Sequence, residues 1–349
     1  VPEPVSVVPV SGLPEIRPGD DLAALVAARV RELGLSIAEG DVLVVSSKVA
    51  SKALGLVTSD RDAAIAAATV RVVAERAMDE DRVTQVVESA AGPVMAAAGV
   101  DASNTGGTEG VLLLPDDPDG VCASLLRAWQ QAFGVTRLAV VLTDTSGRPW
   151  RVGQVDFALG TAGLRVLDDL RGAVDADGRG LAVTARAVAD EIAAAADLVK
   201  GKVAAVPVAV VRGVAEFVTG EVEPDGARSL VRTGPGDWFA MGSVEAVRSA
   251  LGVAPGSELA ERVGIAPLGK ETVADRVARA VAVALAEDAG DVGVDVGPDA
   301  VVVTGGDSVD RGVVAARVVV ALRGEGFRAS LQPAAGRSAD AVTVRIHQP

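Results

Sequence analysis

The sequence predicts a mixed α/β (α+β) protein, and three observations carry that prediction. Short Val-rich runs at 41–46 (DVLVVS), 137–142 (RLAVVL) and 207–212 (PVAVVR) have the length and β-branching of buried strands. Longer segments between them place apolar residues at helical spacing. Apolar residues make up 49% of the 349, mostly Ala and Val, whereas aromatics reach 2% and Tyr is absent. A core made of small aliphatic side chains suits helices packed over Val-rich strands, and the length allows two or three domains.

Residues 5–10 read as a short extended segment interrupted by Pro9, followed by a turn at 11–15. Asp20 or Asp21 can cap a helix running to about Leu33, with Leu22, Leu25, Val26, Val30 and Leu33 on one face and Gly34 ending it. The strand 41–46 leads directly into Ser47-Lys48-Val49-Ala50-Ser51-Lys52. A helix is predicted over 62–78, an apolar patch at 92–100 and a polar loop at 101–110. A strand at 111–114 is closed by Pro115, and a helix follows at 120–133. After the strand 137–142 come a strongly helical run at 187–200 and the strand 207–212. A Gly/Pro-rich stretch at 233–238 precedes a change in character. Helices at 272–287 and 308–324, with strands at 300–304, 328–332 and 341–346, read as a small separate α/β module. The expected division is 1–245 and 246–349.

Charge and composition narrow the function classes. A formal net charge of −14 argues against wrapping nucleic acid, which needs a basic surface. No apolar run reaches the roughly 18–20 residues of a membrane span. The first residues lack a basic flank followed by an apolar stretch, so no signal peptide is expected. Cys122, the only cysteine, cannot form an internal disulfide and lies on an apolar helical face. Together these features predict a cytoplasmic protein. The sequence holds five lysines against 28 arginines, and four of the five are Lys48, Lys52, Lys200 and Lys202. Where Arg is so strongly preferred, Lys survives best where a compact ammonium is wanted, as on a phosphate.

The only histidine, His347, lies two residues from the end of the sequence, so Ser-His-Asp, Cys-His and histidine-rich zinc chemistry are not expected. A metal would be held by oxygen ligands, which selects hard ions such as Mg²⁺ or Mn²⁺. The most informative segment is 143–151 (TDTSGRPWR), at the carboxyl end of a buried strand. There Asp144 and Thr145 offer a carboxylate and a hydroxyl at a sheet edge, the usual ligand position in α/β layers. Gly147 allows close backbone approach, and Arg148 and Arg151 can grip phosphate or carboxylate. A surface turn has a similar composition, but an exposed Trp150 between two arginines fits a plain turn less well. Asp101 lies in the Gly-rich loop with Asn104, and Ser47 and Lys52 follow a buried strand as phosphate contacts do; each has a plain loop or solvated-face alternative. Residues 264–270 (GIAPLGK) match the start of a P-loop, yet Glu271 stands where Ser or Thr should ligate magnesium and no strand precedes it.

Taken together, 13–22 (LPEIRPGDDL), 41–52 (DVLVVSSKVASK), 97–110 (AAGVDASNTGGTEG), 140–154 (VVLTDTSGRPWRVGQ) and 188–213 resemble the coenzyme F420:L-glutamate ligase family. They occur in order and cover residues 1 to about 240. The resemblance implies two intertwined ligase subdomains, a homodimer, and GTP-dependent addition of L-glutamate to coenzyme F420-0, with F420-1 as a further acceptor. It implies two divalent cations, Mn²⁺ or Mg²⁺, and a stimulating K⁺. By motif, Leu13, Pro14, Glu15 and Ile16 would line the nucleotide site, with Ser47, Lys52 and Asn104 also touching GTP. Leu198, Val199, Lys200, Gly201, Lys202, Val203, Ala204 and Ala205 would close around it. Asp101 and Asp144 would bind one metal and Thr145 a second. Arg148 and Arg151 are candidates, beside Asp144, for catalytic contacts to the acidic substrates. Some relatives carry a longer flavin-binding domain after the ligase; residues 246–349 are too short for it and lack a flavin signature. The alternatives are an FMN-dependent reductase activity in that module, or a non-catalytic GTP- and F420-binding protein.

Overall fold

A computed structural model describes residues 4–79, 82–103, 105, 110–201, 203–224, 226–287, 289–332 and 340–347. The first elements are β1 (Ser6–Pro9), α1 (Leu22–Glu32), β2 (Val42–Ser46), α2 (Ser47–Ala53), β3 (Val57–Thr58) and α3 (Arg61–Ala68). Next come β4 (Thr69–Asp79), β5 (Arg82–Ser89), β6 (Val94–Ala96), β7 (Val111–Leu112) and α4 (Pro118–Phe133). The long strands β8 (Ala139–Arg148) and β9 (Arg151–Ala162) lead through β10 (Asp168–Asp169) and β11 (Ala185–Arg186) to α5 (Val188–Asp197) and β12 (Val208–Arg212). The remainder holds α6 (Ser243–Ala250), α7 (Glu258–Arg262), α8 (Val273–Leu285), β13 (Val292–Val296), β14 (Ala300–Gly305), α9 (Ser308–Gly324), β15 (Arg328–Gln332) and β16 (Ala341–His347). The mixed α+β class is the one the sequence predicts.

The chain divides into two compact units, one of residues 1–70 and 88–233, the other of residues 71–87 and 234–349. The first is organised on a five-stranded sheet in the order β1-β12-β2-β8-β9. β2 and β8 run parallel, and the other neighbours are antiparallel. Both faces are covered, which is why its strands read as unbroken apolar runs rather than as alternation. Leu43, Val45, Val140, Leu142, Val208 and Val210 pack with α1 and α4. Their neighbours Val42, Val44, Ala139, Val141, Ala209 and Val211 pack with α5. Asp21 caps α1 by accepting from the Ala24 N–H. Trp129 of α4 is fully buried, and its ring nitrogen donates to the Ala23 carbonyl over 3.0 Å. Cys122 is buried on the same helix, and burial pushes its thiol pKa up. Gly160 of β9 admits the start of α4, since a Cβ there would lie 2.5 Å from the Pro118 backbone.

In the second unit an antiparallel sheet in the order β13-β14-β16-β15 packs Val301, Val303, Val344 and Ile346 against α8 and α9. Arg279 and Glu325 are buried there and paired at 2.6 Å. The P-loop-like stretch precedes α8, where Glu271 accepts from Arg279 at 2.8 Å and from the Gly269 N–H. That carboxylate is already occupied and stands where a phosphate loop needs a hydroxyl.

Three local expectations need correction. The helix predicted over 62–78 is the short α3 followed by β4, because Val70, Val72 and Val73 bring β-branched side chains that favour a strand once they pair. The strand at 111–114 spans Val111–Leu112. The strand 137–142 continues past its apolar part as β8, because cross-strand pairing with β9 carries polar residues through to Arg148. β13, with Gly293 inside it, has no counterpart in the sequence reading.

Candidate functional site

Parallel pairing of β2 and β8 sets the site. Ser46 lies opposite Thr143, so β2 ends there while β8 runs on, and the first turn of α2 starts beside residues 144–146. Ligands in α/β layers gather at this carboxyl edge. Lys48 and Lys52 are four residues apart on α2 and therefore share a face. A cleft of about 300 Å³ opens there, bordered by Leu13, Pro14, Glu15 and Ile16 on one side and by Lys48, Lys52, Thr145 and Asp156 on another. Lys200, Gly201 and Ala205 complete it. Three of the five lysines thus come together from two distant parts of the chain.

Each of these lysines is held by a carboxylate. Lys52 pairs with Glu15. Lys48 lies 2.6 Å from Asp101 and also donates to the Ser103 hydroxyl. Lys200 lies 2.7 Å from Asp156, with both side chains almost fully buried. Asp156 also accepts from the hydroxyls of Thr143 and Thr145, each at 2.8 Å. Burial works against its charge, but the ammonium of Lys200 and these hydrogen bonds hold its pKa below the ordinary carboxylate range. Asp156 was not among the residues singled out by sequence. The available signal is its register: across the hairpin it faces Thr145.

Asp144 has the opposite character. Burial pushes its pKa up to about 6, and the negative charges of Asp101 and Asp156 add to the shift. A crevice of about 10 Å³, roughly the room for one water-sized particle, is bordered by Ser47, Ser51, Asp101 and Asp144. The hydroxyl of Ser51 is buried there with no hydrogen-bond partner among the described residues. Two carboxylates and nearby hydroxyls suit a hard cation, which would share the crevice with the Lys48 ammonium held by Asp101. Among the described residues there is no group of three or more His, Cys, Asp and Glu side chains able to hold a metal. Any such ion would therefore need hydroxyl, carbonyl, phosphate or water oxygens as well.

The remaining sequence candidates are dispersed. Ser47 is buried at the start of α2. Leu198, Val203 and Ala204 are exposed and Val199 is half-buried, while Gly201 and Val206 bond each other's backbone on either side of the turn. Arg148 and Arg151 flank the exposed tip of the β8–β9 hairpin, where Trp150 has a positive φ of 59°. Arg148 lines a second cavity, of about 480 Å³, and Arg151 borders neither cavity. Asn104 and Lys202 lie outside the described residues.

The family model described as F420-0:Gamma-glutamyl ligase matches residues 12–213, which contain every candidate residue named above. A coenzyme F420:L-glutamate ligase from Halobacterium salinarum is 41% identical over 253 residues, spanning 66% of this chain and 93% of the relative. The protein of that name from Archaeoglobus fulgidus is 42% identical over 236 residues, spanning 63% and 92%. The one from Methanothermobacter thermautotrophicus is 35% identical over 240 residues, spanning 64% and 93%.

Proposed function

The chain belongs to the F420-0:gamma-glutamyl ligase family, and from that premise we propose that it joins L-glutamate to coenzyme F420-0 in a GTP-dependent reaction through an acyl phosphate. The observation that carries this reading is the cleft where Lys48, Lys52 and Lys200 meet beside Thr145, with Asp144 on the neighbouring crevice that Lys48 also lines. Lys48 and Lys52, whose carboxylate partners are part-exposed, suit a polyphosphate, and the absence of any histidine other than His347 matches a reaction driven by positioning and charge.

The terminal carboxylate of the acceptor attacks the γ-phosphorus of GTP, and GDP leaves with the bridging electron pair. The amine of glutamate then attacks the acyl carbon, and phosphate leaves as the amide forms. Lys52 sits at the cleft wall, and its partner Glu15 is half-exposed, so Glu15 can turn outward when phosphate oxygens take the ammonium. Lys200 is buried and stays with Asp156, fixing that wall of the cleft. Asp101, Asp144 and Thr145 would hold Mn²⁺ or Mg²⁺, which would supply neutralisation of charge on the phosphate oxygens. A stimulating K⁺, extension of F420-1 and a homodimeric assembly belong to the same proposal.

The test is incubation of the protein with F420-0, L-glutamate, GTP and Mn²⁺, followed by mass spectrometry. The expected result is a product heavier by one glutamyl unit with matching GDP release, both lost in Asp144→Ala. GDP release without a glutamylated product, or no turnover at all, would overturn it.

A further inference from the structure

The cleft of about 300 Å³ lies at the lower end of the range for a single small-molecule site. A nucleoside triphosphate and a large acceptor need more room than that. The second cavity, of about 480 Å³, lies in the same unit, and Asp156 lines both. Its walls are apolar, from Pro93, Val94, Phe157, Leu159, Leu230 and Val231. Three arginines, Arg148, Arg228 and Arg232, stand at it and are exposed. Among the described residues the side chains of Arg148 and Arg232 make no hydrogen bond or ion pair, and Arg228 has one long bond, 3.5 Å to the Ala90 carbonyl.

The carboxylates around this cavity do not cancel those cations. Asp156 is matched by Lys200. Asp190 accepts from the Ala158 N–H at 2.9 Å, and burial raises its pKa. That leaves Glu191, exposed in the first turn of α5. Apolar walls with a surplus of guanidinium groups match a ligand with an apolar body and an acidic end.

We propose that this second cavity seats the acceptor, an organic acid with an apolar body, and that Arg228 and Arg232 are specificity residues gripping its anionic groups. The seat directs the acceptor's reacting carboxylate toward the wall that the two cavities share at Asp156. This assignment rests on the ligase reading above and adds the place and the residues of acceptor recognition.

The experiment uses the full chain and the double variant Arg228→Ala/Arg232→Ala, both positions being exposed. KM for F420-0 should rise roughly 10–100-fold, as expected for loss of hydrogen bonds to a charged group. The Kd for GTP and the KM for glutamate should stay within about twofold. Arg228→Lys/Arg232→Lys should recover part of the loss. Ala194→Leu, which fills the cavity without touching an arginine, should raise the same KM. An unchanged KM for F420-0 in both the double variant and the cavity-filling variant would overturn the assignment, as would a rise confined to glutamate. Equilibrium dialysis of F420-0 without GTP tests the seat separately from turnover. Binding that weakens in the variants supports the seat even if the wild-type chain makes no amide, a result that would sink the ligase reading alone. Binding equal in wild type and variants would overturn the seat.

Discussion

The ammonium of Lys200 and the carboxylate of Asp156 lie 2.7 Å apart in a buried position, although 44 residues separate them in the chain. Thr143 joins them, accepting from Lys200 at 2.5 Å and donating to Asp156 at 2.8 Å. The pair ties the segment after α5 to the middle of β9, and so fixes one wall of the cleft.

Breaking that pair from one side leaves a buried charge without its partner. Asp156→Asn should therefore lower the unfolding free energy by about 3–5 kcal/mol, read from urea denaturation. The double variant Asp156→Leu/Lys200→Met should recover much of that stability, because no unpaired charge remains. Activity should stay lost in both. Full activity in the double variant would make the pair a matter of stability alone.

Lys52 should act on the nucleotide through charge. Lys52→Ala is expected to weaken GTP binding about 10–100-fold with little change in fold, measured by calorimetry. Glu15→Gln removes the competing carboxylate and should leave GTP affinity equal or tighter. Weaker GTP binding in Glu15→Gln would assign Glu15 a direct role at the nucleotide.

Asp144→Asn keeps the shape of the side chain and removes its charge. Turnover should fall by at least about a hundredfold, the loss typical of removing one stabilising group from a reaction centre. Mn²⁺ binding should weaken in parallel while the fold is retained. Wild-type Mn²⁺ affinity in the variant would move the metal elsewhere.

The second unit offers a pH test with a definite sign. Asp275 and Asp307 accept hydrogen bonds at the starts of α8 and α9, which lower their pKa values. Burial opposes the charge of Glu271, yet hydrogen bonding and the charge of Arg279 bring its pKa down too. For carboxyls with depressed folded pKa values, the stabilisation is complete above the unfolded values. It is lost as pH falls through the folded ones. Hydrogen-exchange protection in the first turns of both helices should thus fall below about pH 4 and hold steady above about pH 6. Protection that rises on acidification would contradict this.

Much of this architecture was legible because both faces of the central sheet are buried. Runs such as 41–46 then carry β-branched residues without interruption, and their identity as strands does not depend on distant partners. The sequence was misleading where pairing overrides local pattern, as at 62–78, where helix gives way to β4. The importance of 143–151 could be read from Asp144 and Thr145, but the extent of β8 could not, since polar residues there are held by pairing with β9. Asp156 escaped notice for the same reason: its place opposite Thr145 depends on hairpin register, which the flanking residues do not announce. Lysine scarcity is a usable signal: of the four residues it marks, Lys48, Lys52 and Lys200 meet at the cleft, and Lys202 lies outside the described residues.

The most direct measurement follows oxygen rather than mass. F420-0 labelled with oxygen-18 in its reacting carboxylate is incubated with the protein, GTP, L-glutamate and Mn²⁺, and the released phosphate is analysed. An acyl phosphate requires one labelled oxygen to pass into phosphate while the new amide keeps the other. Glutamylated product accompanied by wholly unlabelled phosphate would contradict the account.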